Sequence, residues 1–328
     1  MFCSPPTPND VPVGETYIIT GGTRGVGFGL ARELLRRGQN VFLCGRSAGS
    51  VEKAISRLEE EIVGGENAGG GVGGGCVGGV PCDVSNPDEV RKLWDAAVAR
   101  FGRVDVFVNN AGILPYVPLL PPPAAEKSID DEAEDRIDHD EQISRCVDVN
   151  VKGAIYCCRV AAAGMRRQPK SSKTRPCRIY LMEGLGSRGD IRDSDMMVYG
   201  LTKYAGAYLA NAVEKELACR AKRPSTSSLD EPAVCLGRLS PGIVTTDMLM
   251  GSFVNKSPEE VAQKKRILNI LADSEGTVTP WLADQLIAGN LTIRWLTPAG
   301  ILGRFAKSLF LPSRDLFTDN ADGAVSTL

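Results

Sequence analysis

Histidine is almost missing from this 328-residue chain; the single one is His139. With one imidazole and no Cys-x-x-Cys pair, a zinc site is not expected, because such sites need several His or Cys ligands at set spacings. Neither sign of charge is in excess, with 38 Lys and Arg against 40 Asp and Glu. Nothing in that balance points to nucleic acid as a partner. No apolar run reaches the roughly 18–20 residues that span a bilayer. The opening MFCSPPTPND has neither the basic nor the apolar part of a secretory signal, and no Arg- and Ser-rich transit peptide is visible. Any organelle presequence is expected to be absent, removed or outside this chain. Ten cysteines are present, but Cys44, Cys82, Cys158 and Cys235 lie inside apolar runs, where a thiol behaves as a small hydrophobe. They fit a reducing compartment better than a disulfide scaffold.

What is abundant is alternation. Continuous apolar runs at 16–20, 41–46, 79–84, 104–112, 177–183, 233–241 and 291–296 read as strands buried on both faces. Between them, segments such as FGLARELLRRG and PDEVRKLWDAAVARFG carry apolar residues at helical spacing. The pattern predicts an α/β fold, a doubly wound parallel sheet (Rossmann fold) with helices on both faces, in a single domain over 15–296. A ligand is then expected at the carboxyl ends of the strands. Three stretches read as surface insertions: the glycine tract at 64–79, the Pro-rich then acidic 115–146, which contains His139, and the polar 220–232. Residues 1–14 are expected to be a flexible lead, and 297–328 a basic, apolar tail.

Residues 20–27, Thr-Gly-Gly-Thr-Arg-Gly-Val-Gly, follow the first strand and open the first helix. Glycines there allow a tight turn and close approach to a pyrophosphate, whose charge is met by free helix N-terminal amides. Further along come Asp83-Val84, Asn109-Asn110-Ala111-Gly112, Asn150, Tyr199-x3-Lys203 and Pro241-Gly242-x3-Thr246. This ordered set resembles the short-chain dehydrogenase/reductase family over about residues 15–296. The resemblance implies that Gly21, Thr23, Arg24, Gly25, Val26 and Gly27 hold the dinucleotide phosphates. It places Asp83 and Val84 at the adenine. Asn110, Ala111 and Gly112 would line the nicotinamide ribose, with Pro241, Gly242 and Thr246 beside the nicotinamide. The second strand ends Cys44-Gly45-Arg46 with no acid nearby. Arg24 and Arg46 suit a 2′-phosphate, and NADPH is the expected cofactor, although both could be merely solvated.

Tyr199 and Lys203, four apart, share one helix face. A tyrosine pKa of roughly 10 is high for acid–base work at neutral pH. A nearby ammonium and an oxidised nicotinamide are expected to lower it. Tyr199 would donate a proton to a carbonyl oxygen, and Lys203 would also hold the nicotinamide ribose. Ser187 is the candidate for orienting the carbonyl, though a turn serine is the alternative. Asn150 fits, by the resemblance, a residue that bends its helix and positions a relay water.

A narrower likeness lies in Met182-Glu183-Gly184-Leu185-Gly186-Ser187, VYGLTKY, LSPGIVTTDMLM and LNILAD. These are similar to segments of the chlorophyll(ide) b reductases over about residues 178–310, with departures at Glu183 and Arg188. That likeness implies reduction of the 7-formyl group of chlorophyll b to 7-hydroxymethyl, in the chloroplast stroma or at the thylakoid surface. Met, Leu and Phe after Thr246 would suit an apolar cleft, or plain helix packing. The tail mixes Trp295, Ile301, Leu302, Phe305, Leu309 and Phe310 with Arg294, Arg304, Lys307 and Arg314. It would sit at a membrane interface or pack over the cleft or an oligomer partner. A reductase of a smaller ketone or aldehyde, and a non-catalytic NADPH-binding scaffold, stay open as alternatives.

Overall fold

A computed structural model describes residues 14–63, 75–117, 139–169, 175–189, 196–221, 233–253, 256–310 and 314–317. In chain order the elements are β1 (Thr16–Ile19), α1 (Gly25–Arg36), β2 (Asn40–Gly45), α2 (Ala48–Val63), β3 (Val77–Pro81), α3 (Pro87–Phe101) and β4 (Val106–Asn109). Helix α4 (139–147) runs through a π-helical turn, Asp148–Gly153, into α5 (Ala154–Arg167). Then follow β5 (Cys177–Met182), α6 (Met197–Ala221), β6 (Val234–Ser240), β7 (Ile243–Thr245), α7 (Asp247–Met250), α8 (Pro258–Leu271), β8 (Ala272–Ser274), α9 (Glu275–Ala288), β9 (Thr292–Arg294) and α10 (Pro298–Ser308).

Seven strands form one all-parallel sheet in the order β3-β2-β1-β4-β5-β6-β9. Successive side chains of each strand go to opposite faces, and both faces are covered. Ile18, Phe42, Phe107, Ile179 and Leu236 pack with Leu93 and Trp94 of α3 and Ala161 and Met165 of α5. Tyr17, Ile19, Leu43, Val108 and Tyr180 pack with α1, α2 and α9 through Leu30, Leu34, Leu58, Leu282 and Leu286. This is why the strands read as unbroken apolar runs. Helix limits follow local chemistry. Asn86 caps α3 by accepting from the Asp88 and Glu89 amides, Pro87 opens it, and Gly102 ends it at φ +77°. Ser257 and Glu260 form a reciprocal capping box on α8.

Two boundaries differ from expectation. β3 begins at Val77, inside the stretch read as an insertion, and Cys82-Asp83-Val84 lie beyond its ladder. Gly78 and Gly79 pair with Phe42 and Leu43, and only glycine fits there: a Cβ would stand 3.1 Å from the Phe42 ring or 2.6 Å from the Leu43 carbonyl oxygen. The acidic end of the 115–146 stretch is helix from His139 onward rather than loop. Residues 64–74, 118–138 and 222–232 of the expected insertions lie outside the described residues. A second sheet, the parallel pair β7–β8, has no counterpart among the expected strands. Nine cysteines are described, all free, six of them buried.

Candidate active site

The glycine loop sits at the carboxyl end of β1, between the ends of β2 and β4. Gly21 and Gly25 have φ of +63° and +54°, a region open to glycine. A Cβ on Gly27 would lie 2.4 Å from the Gly21 carbonyl oxygen and 2.5 Å from Asn110 Nδ2, so the turn and helix touch backbone to backbone. Asn110 fixes this corner by donating Nδ2 to the carbonyls of Thr20 (2.8 Å) and Gly21 (3.1 Å). Thr20 Oγ1 accepts from the Asn110 and Ala111 amides, each at 3.0 Å. The first turn of α1 has no acidic residue and no side-chain cap. Its amides therefore point outward as a ready anion site, which suits a dinucleotide pyrophosphate.

Arg24 and Arg46 are both exposed and flank that corner; Gly22 N donates to the Cys44 carbonyl at the end of β2. Arg24 has one weak partner, Asp247, at 3.9 Å. Val84 is buried beneath Gly153, and Asp83 accepts from Ser85 N and Oγ at 2.9 and 2.7 Å. Thr246 reaches Gly25: a Cβ there would meet Thr246 Cγ2 at 3.4 Å. Pro241 is buried, and Gly242 turns at φ +75°.

Tyr199 and Lys203 lie on α6 with the Lys203 ammonium 5.6 Å from the Tyr199 ring centre. Lys203 Nζ donates to the Met182 carbonyl at 3.2 Å and stands near Gly112. The Tyr199 hydroxyl lies against Gly184, where a Cβ would be only 2.6 Å from it. Gly184 is thus a site residue by its smallness, which a motif of reactive groups does not signal. Ser187, buried in the turn after β5, accepts from Gly184 N at 3.0 Å. A hydroxyl that accepts one bond still has its proton to donate, so both of its readings stand.

Asn150 occupies the π turn, the local distortion that bends this long helix. Its side chain is fully engaged. Oδ1 accepts from Ile113 N at 2.9 Å, and Nδ2 donates to the Ile113 carbonyl (2.9 Å) and Thr202 Oγ1 (3.0 Å). A cavity of about 30 Å³ is lined by Asn109, Asn150, Glu183, Ser187, Thr202 and Lys203, among others. That is room for about two waters.

A further influence stands beside the expected lowering by Lys203 and an oxidised nicotinamide: burial pushes the Tyr199 phenol up, and the nearby Tyr116 and Cys146 push the same way. Lys203 is itself so enclosed that burial lowers its ammonium to about 8, against the opposing pull of Cys146 and Glu183. Burial disfavours charge on both groups, which raises a phenol and lowers an ammonium. Tyr116, in the Pro-rich stretch read as insertion, was not foreseen here; its hydroxyl donates to the Met248 carbonyl at 2.9 Å.

The tail also differs. Arg294 reaches Glu183 at 3.5 Å, and Arg304 and Arg314 both bind Asp273, so three of its four basic residues turn inward. Leu302, Leu309 and Phe310 are left 73–86% exposed, with Phe305 at 40%. Among the described residues no helix is long and apolar enough to cross a membrane.

A family model described as short chain dehydrogenase matches residues 15–256. Among curated proteins, the chain is 32% identical over 273 residues to chlorophyll(ide) b reductase NOL, chloroplastic, of Oryza sativa subsp. japonica, covering 83% of this chain and 66% of that protein. The protein of that name from Arabidopsis thaliana is 32% identical over 271 residues, 83% of this chain and 65% of the relative. Probable chlorophyll(ide) b reductase NYC1, chloroplastic, of Arabidopsis thaliana is 30% identical over 297 residues, 88% of this chain and 52% of the relative. The chain thus spans between about half and two thirds of the length of these relatives.

Proposed function

The chain belongs to the short-chain dehydrogenase family, and from that membership we propose that it is an NADPH-dependent reductase of the 7-formyl group of chlorophyll(ide) b. The observation that carries the reaction class is the juxtaposition of Tyr199, Lys203 and Gly112 at the mouth of the glycine loop. The substrate reading is supported by the names of the similar plant proteins. The same names, which read chloroplastic, support a chloroplast location; the stroma or the thylakoid surface is part of the proposal.

Gly21 to Gly27 and the open α1 amides suit the pyrophosphate, and Lys203 beside Gly112 suits the nicotinamide ribose. Bound NADPH would supply a hydride to the carbonyl carbon. Tyr199 gives its proton to the carbonyl oxygen, and its raised pKa keeps it in the protonated form that this direction of reaction requires. Ser187 orients that oxygen, and waters in the cavity behind Lys203 return the proton.

Arg24 and Arg46 are assigned to the 2′-phosphate. Arg24→Ala with Arg46→Ala is expected to weaken NADPH by about 1.5–3 kcal/mol per good charge-assisted bond, and NADH hardly at all. Because Arg24 is largely solvated, the lower figure is the better guide. Parallel titrations of both cofactors test this; equal weakening would remove the assignment.

Lys203 gives a second expectation. Its folded pKa is depressed, so the ammonium that binds a ribose hydroxyl is present below about pH 8 and lost as pH rises through it. NADPH affinity should therefore fall on the alkaline side of about 8, and Lys203→Met should abolish that dependence. A pH-independent native affinity would count against the contact.

For the substrate, the deciding measurement is incubation with NADPH and chlorophyllide b, followed by pigment separation. The expected result is the 7-hydroxymethyl product. Turnover of small aldehydes with no reaction on pigment would leave the reductase and remove the pigment. Peripheral membrane contact is assigned to the outward face of α10 and the turn after it. Leu302→Ser with Leu309→Ser and Phe310→Ser should reduce activity on membrane-embedded pigment and spare detergent-solubilised chlorophyllide b. Equal activity of that variant and the native protein on both forms would refute the contact.

A further inference from the structure

Asp273, in the middle of β8, is 4% exposed and collects donors from three distant places. Its Oδ2 accepts from Trp295 Nε1 and Arg304 Nη2, both at 2.6 Å, and its Oδ1 from Arg314 Nη1 at 3.1 Å. The two guanidinium groups also donate to backbone: Arg304 to the Leu271 carbonyl (3.1 Å), Arg314 to those of Ala272 (2.7 Å) and Asn269 (3.1 Å). A buried carboxylate is tolerable only when its lone pairs are met in this way.

This hub joins parts of the chain that flank the site. Asp273 pairs in register with Val244 of β7, whose neighbours are Gly242 and Thr246. The Trp295 ring covers Gly242, where a Cβ would lie 3.2 Å from Trp295 Cδ1. Beyond Arg314, Leu316 N donates to Asn269 Oδ1 at 3.0 Å. The Phe317 ring then meets Phe253 edge-on, centres 5.6 Å apart, with the Lys265 ammonium 5.4 Å from its own centre. Phe253 ends the segment that carries Met248, Leu249 and Met250. That segment is tied to Tyr116 by the Met248 carbonyl, and a Cβ on Gly251 would lie 3.2 Å from the Tyr116 ring.

We propose that Arg314 and Phe317, anchored on Asp273, are positioning residues that strap the Asp247–Phe253 segment over the site and so set the space for a bulky apolar carbonyl substrate. This rests on the reductase reading above, and it assigns the C-terminal segment to substrate selection as well as to any membrane. Dispersion between two aromatic rings is weak singly, but the strap sums it with four hydrogen bonds from Arg314 and one from Leu316. Within the segment α7 has no buried residue, and the turn after it is held by buried Ser252, whose carbonyl accepts from Lys264 Nζ at 3.4 Å.

The test uses Arg314→Ala and Phe317→Ala in the full chain, with Arg314→Lys as the conservative control. Arg314 is half-exposed, and Asp273 keeps Trp295 and Arg304 when it is removed, so the fold is expected to survive. Amide exchange at 247–253 is expected to rise about tenfold in both alanine variants, with β1 and β4 unchanged. KM for chlorophyllide b should rise several-fold while kcat, the Kd of NADPH and KM for benzaldehyde stay within about twofold. Arg314→Lys should recover part of the KM. Unchanged exchange at 247–253 overturns the strap. A parallel loss of NADPH affinity and of both carbonyls also overturns it, since that is general destabilisation. If the native protein leaves chlorophyllide b untouched, the pigment reading fails, and exchange alone then upholds or overturns the strap.

Discussion

Tyr199→Phe should lower turnover by about 10²–10⁴-fold while leaving NADPH affinity within about twofold. The substitution removes one oxygen and nothing else. The buried ring is otherwise unchanged, and Lys203 keeps its bond to the Met182 carbonyl. Burial holds the native phenol in its protonated form, so the group lost is the acid itself. A cofactor titration together with single-turnover rates separates binding from chemistry. Near-native turnover would move the acid elsewhere, and Ser187 is the next hydroxyl along the turn beside Gly184. Lys203→Met is expected to damage both quantities, because its ammonium serves the ribose and the proton path.

Arg178→Met should destabilise the protein by about 3–5 kcal/mol, although it lies at the opposite end of β5 from the chemistry. Arg178 is 1% exposed in the middle of the sheet. Its Nη2 binds Glu15 Oε1 at 2.5 Å and its Nη1 the Leu286 carbonyl at 3.3 Å. Glu15 also accepts from the Tyr17 hydroxyl at 2.9 Å. Removing the cation leaves a shielded carboxylate without its counter-charge, whereas Arg178→Met with Glu15→Gln should recover part of the loss. Denaturant unfolding of the native protein and the variants gives the coupling. A loss below about 1 kcal/mol for Arg178→Met would show that desolvation cancels the pair's attraction.

The doubly wound sheet was legible because burial on both faces writes itself as unbroken apolar runs, and Thr16–Ile19 and Cys177–Met182 fall where those runs are. Tyr199 and Lys203 were legible because helical periodicity puts them on one face and they follow the fifth strand of a sheet that already carries the glycine loop. The unforeseen parts depend on contacts between residues far apart in sequence. Tyr116 sits in a Pro-rich stretch that reads as loop, and it matters only because Met248 folds back onto it. Asp273 looks like any polar residue beside a helix start until Arg304 and Arg314 arrive from the tail. The upward push of burial on Tyr199 also escaped sequence reasoning. Spacing locates a neighbouring ammonium, but only the packed structure shows how little solvent reaches either group.

The β1–β4 pairing, Tyr17 against Val106, closes a long stretch of chain before the sheet's centre exists. Such non-local closures are slow relative to helix formation. Strands β1 to β4 and the glycine loop precede the rest of the chain, so during synthesis they can pair first, with Lys203, Thr246 and the α9 cover of β1 added afterwards. Asp273 is in a different position: it emerges from the ribosome before either arginine that will neutralise it. Until Arg304 and then Arg314 follow, β8 holds an unpaired carboxylate and β7 has no secure partner. The growing chain therefore gains its nucleotide cradle early and its substrate-facing wall last. A nascent protein stalled between these two stages would bind cofactor without a formed place for the carbonyl.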